Sequence, residues 1–292
     1  HNALNIGVDV GATKINCGVV DADGRLIDIR TMKSWTFPDL NANIQHLLGL
    51  IGELMDRHGR IHSLGIGLPG SVDDARGLVV YTPNLHRNNL PWGEYLYGAG
   101  RGLQHIACAT IGSGIAVGII ANGRLYGGSH FTAGEIGHMH VEDDGLLCGC
   151  GNTGCLEAYA SGLGIAKLYH SDLITEKPNV LAGHPQDQID SYAIFNAARQ
   201  GDARSLSCID HMARYLARGL NATAAVLAPE ALILSGGLCV EKALLFEPVK
   251  HYFYQYAYQS VRRYVRLELA QLGQNAPLIG ASALYLAPDF CH

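Results

Sequence analysis

The sequence predicts an α/β protein of two domains, and three observations carry the prediction. The chain has 292 residues, long for one hydrophobic core and comfortable for two. Apolar residues make up 48% and charged residues 16%, which suits large buried cores and excludes a disordered chain. One supersecondary unit also occurs twice, from Leu4 and again from Ile106, the mark of two domains of similar design.

The elements follow in order. Leu4–Val10 is largely apolar and reads as a strand. Gly11-Ala12-Thr13 turns it into Lys14–Val20, and Asp21-Ala22-Asp23-Gly24 leads to a third strand from Arg25. After Pro38, apolar residues Ile44, Leu47, Leu48, Ile51, Leu54 and Met55 recur at helical spacing, with Gly59 placed as a C-cap. Residues 61–68 read as a buried strand ending in Pro69-Gly70. The second unit repeats the plan: Ile106–Ile111, Gly112-Ser113-Gly114, residues 115–120, Ala121-Asn122-Gly123, then Arg124-Leu125-Tyr126. Gly24-Arg25-Leu26 and Gly123-Arg124-Leu125 match residue for residue. The rest is mainly helical. Residues 205–227 keep apolar positions at helical spacing until Pro229, residues 231–234 are a short strand entering Ser235-Gly236-Gly237, and helices cover about 240–258 and 276–286.

Charge and cysteine usage exclude several classes. A net charge of -5 and a pI near 6.3 give no electrostatic case for nucleic acid or anionic membranes. The longest apolar stretches, such as Ile115–Ala121 and residues 222–228, fall far short of the ~20 residues of a spanning helix. No basic-then-apolar leader opens the chain, so a cytoplasmic protein is expected. Cys17, Cys108, Cys208, Cys239 and Cys291 are scattered singly and read as small buried apolar residues, whereas Cys148, Cys150 and Cys155 crowd together.

The chemistry lies in the turns. Asp9-Val10-Gly11-Ala12-Thr13-Lys14 sets a carboxylate at a strand end beside a tight turn. Backbone N–H groups there can face a phosphate, Thr13 and Lys14 add a hydroxyl and a charge, and the Asp suits Mg²⁺. Gly112-Ser113-Gly114 repeats that geometry on the second hairpin, so the pair reads as two jaws closing on a polyphosphate. Ser235-Gly236-Gly237 offers a close approach for a flat base. Residues 65–70 and 149–154 both fit G-x-G-x-x-G, but neither opens a Rossmann helix, and nicotinamide chemistry is rejected.

The most specific signal is Gly134-Glu135-Ile136-Gly137-His138, followed by Cys148-Gly149-Cys150 and Cys155-Leu156-Glu157. Three thiolates and one imidazole complete a tetrahedral zinc site with no open position, so the metal is expected to be structural, pinning the loop that carries Glu135, His138 and Glu157. His140 is the rival ligand, and three reduced, unliganded cysteines are the alternative.

Together with the Gly65–Gly70 run, Tyr81-Thr82-Pro83-Asn84-Leu85, Tyr97-Gly98-Ala99-Gly100-Arg101-Gly102 and residues 273–281, these segments resemble the ROK family of repressors and sugar kinases over nearly the whole chain. The resemblance implies an actin-like ATPase (hexokinase-type) duplicated α/β fold. A smaller N-terminal domain (1–100 plus 276–292) and a larger one (101–275) would flank a cleft. By position it assigns Asp9, Gly11, Thr13 and Lys14 to ATP phosphates and Mg²⁺, Gly112 and Gly114 to the second phosphate loop, and Gly236 and Gly237 to adenosine. Gly70, Asn84, Glu135, His138 and Glu157 would contact the sugar, and His138, Cys148, Cys150 and Cys155 would hold zinc. The implied activity is Mg-ATP-dependent phosphorylation of the 6-hydroxyl of glucose or a related hexose or N-acetylhexosamine, by a homodimer.

One part of the pattern is missing. The family's general base is an Asp in a Glu-Asn-Asp-Ala-Asn stretch, and this chain has none. Leu90-Pro91-Trp92 resembles the segment before that stretch and Gly93-Glu94-Tyr95-Leu96 the helix after it. Three readings of the Trp92–Gly93 junction stand: a kinase whose strand, helix and Asp are omitted here, a sugar or nucleotide binder without turnover, or Asp73 or Asp74 as substitute base. The family's repressors carry an N-terminal helix-turn-helix, whereas the phosphate-loop strand here starts at Leu4, which argues against DNA binding.

Overall fold

The computed structural model describes residues 3–11, 14–34, 36–67, 71–73, 78–81, 89–129, 132–175 and 179–286, with backbone alone at 71–73, 78–81, 89–92, 187 and 274. In order these form β1 (Leu4–Val10), β2 (Lys14–Val20), β3 (Leu26–Lys33), α1 (Leu40–His58), β4 (Ile61–Gly67), β5 (Ser71–Asp73), β6 (Leu78–Tyr81) and α2 (Asn89–Tyr97). Then come β7 (Ile106–Ile111), β8 (Ile115–Ala121), β9 (Arg124–Tyr126), α3 (Glu157–Ala160), α4 (Gly162–His170), α5 (Ser191–Arg199) and α6 (Ala203–Leu227). Last are β10 (Ala231–Ser235), α7 (Glu247–Tyr256), α8 (Gln259–Tyr264), β11 (Arg266–Leu269) and α9 (Ala276–Ser282). The chain divides into two compact units: His1–Cys108 with Gly118–Ala133 and Ala270–His292, and Ala109–Val117 with Gly134–Leu269.

In the first unit, β1 pairs antiparallel with β2, β2 with β3, and β4 returns parallel to β1, giving the order β3-β2-β1-β4. α1 covers one face, where Ile6, Val8, Ile15, Cys17, Val19 and Met32 pack with Ile51 and Leu54. Asp39 caps α1 by accepting the Ala42 N–H at 2.9 Å, and Gly59 ends it at φ 75° with its N–H on the Met55 carbonyl. α9 lies on the other face with its backbone against the strands. A Cβ on Gly7 would stand 2.1 Å from the Leu278 carbonyl oxygen, and one on Gly65 1.8 Å from that of Ala281, so only glycine permits this approach. α2 packs on α9. Buried Glu94 accepts N–H bonds from Ala99 and Leu272, both at 2.8 Å.

The second sheet has the order β11-β10-β7-β8-β9, with β11 parallel to β10. α6 is the long helix of the second unit. Asp202 caps it by accepting the Ser205 N–H at 2.9 Å, it packs on α7, and it stops where Ala228 turns left-handed before Pro229. The repeat read from sequence is real in three dimensions. Gly24 and Gly123 occupy the same positive-φ turn position, at 80° and 73°, before equivalent third strands.

The structure refines the helical half. α7 is preceded by a π-helical turn at Lys242–Phe246, the last helix gives way after Ser282 to a 3₁₀ turn at Leu284–Leu286, and α4, α5 and α8 are separate helices.

Candidate functional site

Within the second unit, the loop between β9 and α3 folds back on itself. His140 bridges to Cys155 and Leu147 to Thr153 as isolated antiparallel pairs, and the Cys148 N–H bonds the Asn152 carbonyl at 2.8 Å. Gly154 sits at φ 73°, where a Cβ would stand 1.9 Å from the Glu142 carbonyl oxygen, so the return strand needs glycine there. The fold gathers ligand atoms of His138, Cys148, Cys150 and Cys155 within 4.8 Å of one another. Cys148 Sγ is 3.7 Å from His138 Nδ1, and Cys150 Sγ is 3.7 Å from Cys155 Sγ.

Those spacings fit a metal. Ligands at about 2.3 Å from a tetrahedral zinc stand roughly 3.8 Å apart. Burial raises the Cys148 thiol and pushes that of Cys155 up to about 12, while the Asn152 backbone N–H lowers that of Cys150. A dication supplies the charge that holds such thiols as thiolates. His140 is outside the group. Its imidazole bonds the Asp143 carboxylate at 3.0 Å, which raises its pKa, and the Thr153 carbonyl.

Glu157 joins this cluster to the β7–β8 turn. Its Oε2 accepts the Ile115 N–H at 2.9 Å, and its Oε1 lies 3.9 Å from Cys148 Sγ. Gly114 packs so close that a Cβ would stand 2.5 Å from Oε2. The Gly112 N–H closes the turn on the Gly114 carbonyl at 3.0 Å, and the Gly112 carbonyl accepts from Gly162 at 2.7 Å. Glu135 stands at the start of the 3₁₀ turn Ile136–His138 and accepts the His138 N–H on its carbonyl. The turn, the two acids and the cluster therefore share one scaffold. Gly236, at φ 106°, presses on β7 with a would-be Cβ 2.2 Å from the Ile111 carbonyl oxygen, while the Cα of Gly237 borders open space.

In the first unit, Asp9 is a buried carboxylate near the end of β1, in register with Asn16 and Gly67. The Gly11 N–H bonds the Lys14 carbonyl at 2.9 Å, Ser34 Oγ donates to the Gly11 carbonyl, and Lys14 is exposed opposite Lys33. Thr13, Gly70, Asn84 and Asp74 lie outside the described residues, and only the backbone of Asp73 is described.

Sequence reasoning missed the support under the loop. Tyr159 stacks on Tyr215 at 4.4 Å, its hydroxyl accepts the Leu146 N–H at 2.6 Å, and the Tyr215 hydroxyl donates to Glu142 at 2.8 Å. Burial holds both phenols above their ordinary pKa. The only sequence cue is Tyr159, two residues after Glu157.

A duplicated strand meander with glycine turns, in an α/β chain, defines a protein of the actin-like ATPase fold. The family model described as "ROK family" matches residues 5–91 and 86–287, and the chain belongs to that family. It is 34% identical to a glucokinase of Streptomyces coelicolor over 316 aligned positions, covering 98% of each chain. It is 26% identical to the xylose repressor of Bacillus subtilis, over 97% of this chain and 77% of the repressor. Among solved structures, a ROK glucokinase from Streptomyces griseus in complex with glucose and AMPPNP superposes with a TM-score of 0.79 at 34% identity, covering 97% of this chain and 99% of that one. The 316 aligned positions exceed the 292 residues of this chain, so more than twenty positions of the relative have no counterpart here. The two family matches meet at residues 86–91, just ahead of the Trp92–Gly93 junction.

Proposed function

We propose that the chain is an ATP-dependent sugar kinase that phosphorylates the 6-hydroxyl of glucose or a related hexose or N-acetylhexosamine. The observation that carries the reading is the end-to-end match to glucokinases at 34% identity. Asp9, Gly11, Thr13 and Lys14 take the ATP phosphates and Mg²⁺ with Gly112 and Gly114, and Gly236 and Gly237 take adenosine. Gly70, Asn84, Glu135, His138 and Glu157 take the sugar hydroxyls, which carboxylates and imidazole bind through paired hydrogen bonds. His138, Cys148, Cys150 and Cys155 would hold zinc, which holds the thiols ionised and fastens the loop. Glu157 is supported by this geometry: the Ile115 N–H fixes one of its oxygens, so the carboxylate is oriented before any ligand arrives.

In the reaction the hydroxyl oxygen forms a bond to the γ-phosphorus, the bond to the ADP oxygen breaks, and the hydroxyl proton passes to a carboxylate base. That base is the part the junction lacks. A second reading, a non-catalytic sugar or nucleotide binder, is favoured by the same missing positions. The two separate in one experiment. ADP release is measured with glucose, N-acetylglucosamine and N-acetylmannosamine on protein of known intact mass. Release from material heavier than 31.3 kDa supports a kinase with the stretch present. Calorimetric sugar binding without release, at that mass, supports the binder. In material that turns over, Asp9→Asn is expected to remove ADP release while glucose binding persists; loss of sugar binding with ATPase retained overturns the assignment. No helix among the described residues is long and apolar enough to cross a membrane. The reading places a homodimer in the cytoplasm, with sizing chromatography as the check on assembly.

A further inference from the structure

On the first sheet, the residues that share a face with Asp9 form a polar strip. Asp9 on β1 is in register with Gly67 on β4 and with Asn16 on β2, and Asn16 is in register with Thr31 on β3. Register partners point to the same side of a sheet, so one row crosses it as Gly67–Asp9–Asn16–Thr31. The row is bonded within itself, because Thr31 Oγ1 donates to Asn16 Oδ1 at 2.9 Å. Two residues further along β2 and β3, and so on the same face, stand Lys14 and Lys33, register partners of each other.

The two lysines are the anomaly of this face. Direct cross-strand partners have Cβ atoms about 4.5–5.5 Å apart, and like charges placed there repel. Both side chains are exposed. Among the described residues neither meets a carboxylate. An anion held by both ammonium groups would turn that repulsion into attraction.

Position and fastening point to the anion. The pair stands at the end of the sheet where β1 passes into the Asp9–Lys14 turn, the turn proposed above for the ATP phosphates. Buried Ser34, next to Lys33, donates its hydroxyl to the Gly11 carbonyl of that turn. Thr36 Oγ1 donates to the Lys33 carbonyl at 3.0 Å, and Asn43 accepts the Thr36 and Phe37 N–H groups beyond it. The backbone at Lys33 is thus tied to the turn on one side and to α1 on the other. A lysine that merely guards an edge strand against aggregation needs no such fastening.

We infer that Lys33 is a second cationic contact for the phosphate chain of the nucleotide, acting with Lys14 from across the strand pair. The inference rests on the kinase reading and deepens it, since it names a residue that sorts nucleotides by phosphate charge. Asp9 takes the metal and the two lysines take phosphate oxygens. Asn16 and Thr31, bonded to each other, keep the strip between them polar without adding charge.

The test needs no turnover. Titration calorimetry with ATP, ADP and adenosine, each with Mg²⁺, is run on the protein and its variants. Lys33→Met keeps the stem and removes the charge. It is expected to weaken ATP binding by about fivefold, the upper end for an exposed ion pair, ADP binding by less, and adenosine binding not at all. Salt at 1 M is expected to erase the difference, and Lys33→Arg to restore ATP binding. Arg60→Met removes an exposed cation at the opposite end of the sheet, just before β4, and is expected to change none of these affinities. In material that turns over, Lys33→Met is expected to raise KM for ATP and leave KM for glucose unchanged. ATP binding that survives Lys33→Met intact overturns the inference, and so does equal weakening of adenosine, which marks a disturbed fold. Lost solubility with unchanged nucleotide affinity also overturns it, because Lys33 is then an edge guard. The wild-type titration tells the two failures apart: wild-type protein that binds no ATP overturns the kinase reading as well, whereas ATP binding indifferent to Lys33 overturns the inference alone.

Discussion

The two sheets start from the same plan and end differently. In each, a meander of three strands opens on a central strand, β1 or β7, and β4, parallel to β1, or β10 lies on the other side. In the second sheet β11 follows, and every residue of β10 is buried. In the first, β4 is the edge among the described residues, and its side chains alternate into solvent. A strand that is buried on both faces reads as an unbroken apolar run, and Ala231–Ser235 does so. β4, Ile61–Gly67, is broken by His62 and Ser63, and its residues alternate between half-buried and exposed up to Ile66.

The units also differ in how they hold the chain after the third strand. In the first unit the short link to α1 is pinned by Asn43, whose side-chain oxygen accepts the N–H groups of Thr36 and Phe37 at 2.9 and 3.0 Å. In the second the link is long, and its fastening is the His138/Cys148/Cys150/Cys155 group, with no second group of that kind among the described residues. The largest expected effect follows. Structural zinc in small sites contributes about 10–16 kcal/mol of apparent binding energy at neutral pH, so the loss of a zinc held by this group would outweigh that of any single side chain. Zinc by elemental analysis is expected near one per chain and near zero in Cys150→Ser. Chelation is expected to open residues 139–156 to protease while hydrogen exchange in β1–β4 holds constant. Full zinc content in Cys150→Ser would dissolve the contrast.

The strands themselves give the next effect in size. Leu232 on β10 is fully buried, and Leu→Ala at such a site costs about 2–5 kcal/mol. Leu64→Ala on β4 is expected to shift stability by no more than about 0.5 kcal/mol, as exposed positions do. Urea melts of the two variants measure the difference directly. Equal losses would mean that β4 is covered in solution.

How much of this was legible depended on local pattern. β1, β2, β7 and β9 matched to the residue because their strands stop at glycine-containing turns, and α1 fell where expected, after Pro38 and up to Gly59, because its apolar residues keep a 3.6-residue spacing. β11 was not read: Arg266-Leu267-Glu268-Leu269 is short, charged and half-exposed, a strand because β10 offers its edge. Ligand chemistry alone picked out the His138/Cys148/Cys150/Cys155 group in the sequence. That Glu157 bridges it to the Gly112–Gly114 turn was not readable, because contacts across distant segments leave no periodicity. The Tyr159–Tyr215 stack was hidden for the same reason.

The smallest effect concerns the β3 flank of α1. Asp28 on β3 holds the end of α1 through His58 Nε2 at 2.9 Å, with Arg30 and Arg57 also paired to it. Hydrogen bonding to His58 is the main cause that lowers the Asp28 pKa from 3.8 to about 2. A carboxylate depressed in the folded state binds its proton more readily once unfolded. Its stabilisation is therefore present above about pH 4 and is lost as pH falls toward 2. These are surface pairs, screened by salt and modest in size. Asp28→Asn is expected to lower the melting temperature slightly at pH 7 and to flatten the melting curve's dependence on acid between pH 4 and 2, with 1 M salt masking both changes. An acid response in that window that the substitution leaves unchanged would mean that α1 is not held at its β3 flank.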